Sequence, residues 1–272
     1  MRPLAALIAT LCTLASARAA PPSRLEVELA WGVSGSYDLR SILIANTLLD
    51  FSAPINSDSA LVVQWGFTIA TGEPRREGLD ATAFSAGNPL VGWAFRLADG
   101  LVLAPSATLP VARSVEDESA IPISTFALEG GIGLRGGLDR WLWRPDKLAF
   151  VLPVTWARWF EPLLLELNVK LGLLVPTRGT TADNDFSLQT TARLAWQVHS
   201  SSLWLAFTAS GTWVPTEGGN DASLVIRPEL RYVLEPYSHL EASLIMNLDA
   251  PLGPFWQPGR YWGVILGGSA SL

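Results

Sequence analysis

From Leu163 onward the chain alternates. Leu163, Leu165, Leu167, Val169, Leu171, Leu173 and Val175 hold one parity, and Glu166, Asn168, Lys170 and Gly172 hold the other. From Phe186, one face reads Phe186, Leu188, Thr190, Ala192, Leu194, Trp196, Val198. The opposite face reads Ser187, Gln189, Thr191, Arg193, Ala195, Gln197. A period of two residues is that of a strand with one apolar and one polar face. The same pattern predicts strands over Leu25–Val33, Leu61–Ala70, Val91–Leu97, Leu101–Val111, Phe126–Leu134, Leu203–Val214, Leu224–Leu234, Leu240–Asp249 and Trp262–Leu272, with a less regular one over Ile42–Phe51. Turn-rich segments lie between them: Gly72–Asn88, Ala98–Gly100, Ser114–Ser119, Thr177–Asp185, His199–Ser202, Pro215–Asp221, Glu235–Ser238 and Pro251–Gly259. Gly, Pro, Asn and Asp concentrate there for steric and side-chain reasons. No stretch shows the 3.6-residue period of an amphipathic helix, and no linker or internal repeat divides the chain.

Two all-β architectures fit alternation. A soluble sandwich turns its apolar faces into a core. A transmembrane barrel turns them to lipid and lines its lumen with the polar face. The predicted strands run to ~9–12 residues, long enough to cross a bilayer at a tilt, whereas soluble strands average ~5–6. Long and short connections alternate, as when tight turns occupy one membrane side. Trp31, Trp196, Trp213, Tyr232 and Trp262 fall near strand ends. Amphipathic rings prefer the lipid–water boundary, so these five are the expected aromatic girdle. The predicted fold is an all-β antiparallel transmembrane barrel; the competing reading makes these rings sandwich core and the protein a soluble periplasmic β-protein.

Composition narrows this further. Of 272 residues, 49% are hydrophobic and only 16% charged. That excludes disorder, and a net charge of −6 gives no basic footprint for nucleic acid. Arg2, the apolar run Leu4–Ala15 and Ala17-Arg18-Ala19 predict a secretory signal over residues 1–19, with an uncleaved anchor as the alternative. Residues 20–272 would then be a single barrel domain. Cys12 lies inside the apolar run after Leu11, where a lipidation signal needs Gly or Ala. Cleavage would remove this single cysteine, leaving no disulfide to stabilise an exported chain.

Trp262, Val264, Leu266, Gly268, Ala270 and Leu272 place an apolar or small residue at every second position to the last residue. This resembles the C-terminal strand that the barrel-assembly machinery reads in Gram-negative outer-membrane β-barrels. That class usually ends in an aromatic residue, and Leu272 departs from it. The stretch Asn88–Arg113, a strand, a tight turn and a strand ending Leu-Pro-Val, resembles channels for aromatic compounds linked to phenol degradation, and channels of the fatty-acid type. The resemblance implies an outer-membrane location, contact with membrane lipid, and passage of small solutes, hydrophobic or aromatic ones among them.

An even barrel has both termini on the periplasmic side. Six predicted strands reach Gly136 from the N-terminus, and six reach back from Leu272 to Leu163. The expected count is therefore about twelve, with Leu138–Pro162 a periplasmic connector whose Trp141, Trp143, Trp156, Trp159 and Phe160 lie on the inner interface. Yet Leu148, Phe150, Leu152, Val154 and Trp156 alternate like a strand. Ten and fourteen remain alternative counts.

Aligning strands across their loops predicts the lumen. Glu166 and Asn168 fall near Arg193, Arg193 near Thr208, Thr208 near Arg227 and Glu229, and Arg231 near Glu241. Gln64 falls near Arg96, and Glu129 and Arg135 face inward on their own strand. Such charges either satisfy one another in a filled barrel or line a path that selects solutes by sign. Arg193, Arg227 and Arg231 outnumber Glu229 and Glu241, which predicts a mild anion preference if a path exists.

Catalysis is not expected. His199 and His239 fall at predicted periplasmic turns, as surface residues. No cofactor or metal is expected either. Asn247 with Asp249, and Glu116-Asp117-Glu118, match no calcium-loop spacing. Gly130-Gly131-x-Gly133 precedes no predicted helix, so it is no nucleotide fingerprint, and its glycines are expected to ease barrel curvature. A closed structural or adhesion barrel, binding a surface partner through its loops, is the alternative to the channel.

Overall fold

The computed structural model describes residues 22–34, 39–74, 77–113, 120–135, 137–177, 184–198, 202–215, 222–235, 238–248 and 262–272. The expected signal, the acidic loop 116–118, His199 and Asp249 lie outside the described residues.

The strands are β1 (Arg24–Ser34), β2 (Leu39–Asn56), β3 (Ser59–Pro74), β4 (Thr82–Ala86), β5 (Leu90–Ala98), β6 (Leu101–Leu103), β7 (Ser106–Thr108), β8 (Lys147–Phe160), β9 (Leu163–Pro176), β10 (Asp185–Gln197), β11 (Leu203–Trp213), β12 (Ala222–Glu235), β13 (Ser238–Asn247) and β14 (Trp262–Ser271). Helix α1 (Ile121–Gly133) and a short 3-10 turn (Arg140–Leu142) lie between β7 and β8. β4 and β5 both pair with β3, one above the other, and together make one broken stave. β6 and β7 likewise share the place between β5 and β8. The ladder runs antiparallel from neighbour to neighbour, and β1 pairs with β14, so the wall closes as a barrel of twelve staves. Asn88-Pro89 and Ala104-Pro105 mark the two breaks, where proline offers no N–H to the ladder.

Tight turns such as Ser57-Asp58, Asp99-Gly100 and Glu161-Pro162 gather at one end, called here the turn end. The opposite end carries the longer connections and is called the loop end. β1 begins and β14 finishes at the turn end, where Arg24 stands opposite Ser271.

The faces follow parity. Leu194, Trp196, Leu205 and Phe207 are exposed, while their neighbours Arg193, Ala195, Trp204 and Ala206 are buried. Large apolar residues are exposed all around the wall, among them Leu29, Val91, Phe95, Phe150, Leu171, Leu230, Leu244 and Leu266. An apolar exterior is what a lipid-facing wall requires. Among the described residues no helix is long and apolar enough to cross a membrane.

The count of twelve comes about differently from the sequence reading. Phe126–Leu134 is helix rather than strand, and Lys147–Phe160 is a strand rather than a connector. The two errors cancel. α1 starts with a proline in its first turn, a position where the missing N–H costs no helical bond. It packs inside the barrel against β2, β3 and β4 and leaves Ile121, Thr125 and Glu129 exposed; its apolar residues are not confined to the packed side, so no 3.6-residue stripe marks it. Residues 126, 128, 130, 132 and 134 imitate a strand because apolar or small residues extend beyond the packed face. Gly72–Asn88 contains β4, so its connection spans only residues 75–81. The strand expected over Leu101–Val111 bulges at Ala104-Pro105 and ends at Thr108.

Candidate functional site

After Thr108 the chain leaves the wall in its loop-end half, and the described residues 120–135 and 137–146 fold inward. The apolar side of this plug meets an apolar upper lumen. Ile123, Ala127 and Leu134 pack with Ala30, Ile42, Ile44, Ala70, Val225, Ile245 and Ile265. Trp141, Leu142 and Trp143 pack with Leu48, Leu90, Ala149, Val151 and Leu174. The glycines of the Gly130-Gly131 pair serve this contact and not barrel curvature. A Cβ at Gly130 would stand 2.7 Å from Ile44 Cγ2, and one at Gly131 2.5 Å from Trp143 Cδ2. Gly66 on β3 makes the same room, since a Cβ there would stand 2.3 Å from Trp143 Cη2.

One residue of the wall clamps the plug. Buried Asn88 sits at the break between β4 and β5. Its Nδ2 donates to the carbonyls of Trp141 (3.1 Å) and Arg144 (2.7 Å), and its Oδ1 accepts from the Ala112 N–H (2.8 Å). Its own N–H donates to Leu142 O at 2.6 Å.

Below α1 the plug turns through Arg135–Asp139. Asp139 is a left-handed residue with φ 53°, and Gly137 has φ 80°. A Cβ on Gly137 would also stand 2.7 Å from Ser223 Oγ. Arg135 Nη1 donates to Glu28 Oε2 on β1, and its Nη2 donates to Asp139 Oδ2 at 3.2 Å. Lys170 Nζ on β9 donates to Asp139 Oδ1 at 2.6 Å. Gln189 on β10 accepts from the Asp139 N–H at 2.9 Å. β1 and β9 lie six staves apart in either direction around the twelve. The chain Glu28–Arg135–Asp139–Lys170 is therefore a crossbar over the full width of the lumen. Burial pushes the Asp139 carboxyl up, but the charges of Lys170 and Arg135 and their hydrogen bonds outweigh it and hold it below its ordinary value.

Toward the turn end the inner face carries a second set of ion pairs. Arg193 stands opposite Glu166 on β9 and Thr208 on β11. Its Nη1 meets Glu166 Oε2 at 2.5 Å and its Nε meets Glu229 Oε2 at 2.9 Å. Arg227 Nε meets Glu229 Oε1 at 3.1 Å, and Thr208 Oγ1 donates to the same oxygen. Glu229, 4% exposed, thus has three donors around it. Arg231 pairs with Glu241 at 2.7 Å, and Asn168 Nδ2 donates to Thr155 Oγ1 at 2.7 Å. Among the apolar inner residues, Trp159 and Trp204 meet with ring centroids 5.4 Å apart.

Several sequence expectations land elsewhere. Glu129 lies exposed on α1, and Arg135 lies in the turn after it, so neither is on a strand. Gln64 does not meet Arg96: its Nε2 donates to Asp50 Oδ2 at 3.3 Å, and Arg96 pairs with Asp58 at 3.5 Å. His239 is not a surface-turn residue. It is the second residue of β13, 5% exposed and on the inner face. Trp141 and Trp143 do not lie along a membrane interface but are buried in the lumen. Trp31, Trp196, Trp213 and Tyr232 are exposed on the outer face near strand ends. Trp262 opens β14, and its side chain lies outside the described residues, as does that of Asn247.

The sequence reading missed Glu28, Asn88, Asp139, Lys170 and Gln189. Lys170 and Gln189 were visible as polar residues on the inward parity. Nothing local marked the segment that reaches them, except its two tryptophans in an interval that fitted no stave.

No family model matches the chain, and no curated protein matches it. Solved structures do. An outer membrane channel from Pseudomonas putida F1 is similar with a TM-score of 0.59 at 11% identity, over 94% of this chain and 98% of that one. The NanC porin is similar with a TM-score of 0.51 at 10% identity, over 91% of this chain and 99% of that one. At these identities the likeness is one of fold, the closed antiparallel β-barrel that these outer-membrane proteins share.

Proposed function

We propose that the protein is a passive outer-membrane channel for small polar solutes, with the inward-folded residues 120–135 and 137–146 setting its constriction. The observation that carries this reading is the crossbar. Its lower side is held by ion pairs and hydrogen bonds and not by apolar packing. A purely structural filling would be better served by apolar packing, because desolvating ion pairs is costly.

The inner face supports polar cargo over the hydrophobic or aromatic solutes that the sequence resemblance implied. Glu26, Glu28, Asp50, Asp139 and Glu166 stand with Glu229 and Glu241 against Arg24, Arg135, Arg193, Arg227, Arg231 and Lys170. With the signs so balanced, weak selectivity replaces the mild anion preference read from three strands. The exposed aromatics near the strand ends are taken as rims at the lipid–water boundary. The signal over residues 1–19, and reading of β14 by the barrel-assembly machinery, belong to the same proposal. No catalytic role is assigned.

Planar-bilayer recording tests it. The folded protein is expected to carry an ohmic current with a reversal potential near zero, and deletion of residues 121–143 is expected to enlarge that current. Absence of current from both folded proteins would overturn the channel. It would favour instead a closed barrel whose loops bind a surface partner, the reading supported by the ion pairs on Arg135, Arg193, Arg227 and Arg231.

A further inference from the structure

Near the turn end, two rows of residues cross β14 on the inner face. One row is Glu26, Ser269 and His239; the other is Glu28, Gly267 and Glu241. The middle member of each row is small. A Cβ on Gly267 would stand only 3.0 Å from Glu241 Cγ. The longer side chains of β1 and β13 close over the gap, and ligand oxygens of Glu26, Glu28 and Glu241 come within 4.8 Å of one another.

Arginines account for part of this gathering. Arg24 pairs with Glu26, Arg135 with Glu28 and Arg231 with Glu241, each through Oε2 of the acid. They do not account for His239. Its Nδ1 lies 2.7 Å from Ser269 Oγ. Its Nε2 is buried with no hydrogen-bond partner and faces Glu241 Oε2 at 3.8 Å. A buried ring nitrogen facing a carboxylate, with the other nitrogen fixed by a hydrogen bond, is how metal-ligating imidazoles are held.

We propose that Glu26, Glu28, Glu241 and His239 form a binding site for a divalent transition cation such as Zn2+. Carboxylates alone would suit Ca2+ or Mg2+, and the imidazole shifts the preference to first-row transition ions. The ion shares its carboxylates with arginines, so its affinity lies below that of a closed structural zinc site.

The test uses the full folded chain in detergent, stripped with a chelator and titrated with Zn2+ by calorimetry, with Ca2+ as comparison. One saturable Zn2+ per chain is expected, undisturbed by excess Ca2+. Glu26→Gln and His239→Gln are each expected to weaken it by at least ~10-fold, and Ser269→Ala by a similar factor through loss of ring orientation. Heat-modifiable gel mobility checks that each variant is folded. A loss in any folded variant supports the site. Failure of the wild type to take up Zn2+ saturably overturns it, as does uptake unchanged in every folded variant, which marks adventitious binding elsewhere.

Discussion

Asp139 concentrates the crossbar's chemistry in one side chain. It accepts from Arg135 and Lys170, and its amide donates to Gln189. Because its carboxyl is held below the ordinary value of 3.8, the docked state gains from its charge at any pH above that value. The gain fades only as pH falls through the lowered value. Conductance is therefore expected to stay level from neutral to mildly acidic pH and to rise in strong acid. Asp139→Asn, which leaves Arg135 and Lys170 without their shared anion, is expected to bring that larger, noisier conductance to neutral pH. Recording both proteins across pH checks this, and identical profiles would refute it. Asn88 acts by hydrogen bonding alone. Asn88→Ala strands buried carbonyls and an N–H of the plug, and is expected to cost about 2–3 kcal/mol of unfolding free energy, read from urea titration. The register around Arg193 was legible in the sequence, because β9, β10 and β11 alternate without interruption. That around Gln64 was not. β4 extends the stave opposite β3, so Gln64 stands opposite Leu90 rather than near Arg96.

At the scale of elements, the plug is held by shape as much as by charge. Trp143 is fully buried between β3, α1 and the wall. Trp143→Ala is expected to cost about 3–5 kcal/mol by leaving a cavity. Gly66→Leu acts from the other side: its side chain would occupy the space of the indole while β3 accepts leucine as a strand residue. Increased current with retained strand content by circular dichroism is the expected result; unchanged current would show that Trp143 does not hold the constriction. Strands were legible because an outward face in lipid must be apolar at every second residue. α1 was not, because its apolar and small residues are not confined to the side that packs on β2, β3 and β4, so the stripe of an amphipathic helix is lost.

At the scale of the molecule, the wall inverts the arrangement of a soluble protein. Leu171, near the middle of β9 and exposed, is expected to face the centre of the bilayer. Leu171→Arg is expected to destabilise the barrel in lipid by about 2–4 kcal/mol, and the same change nearer the turn end, at Leu163, by about 0–1 kcal/mol. Equal effects at the two depths would point away from a membrane-spanning wall. The route of the plug has a separate consequence. Residues 109–146 depart after Thr108 and return at Lys147, both toward the loop end, and Ala149 N–H donates to Thr108 Oγ1 beside that doorway. The segment thus leaves and rejoins the wall at the same end of the barrel. It can enter or withdraw with the seam between β1 and β14 already shut, so topology places no knot or slip between the finished wall and a reversible closure.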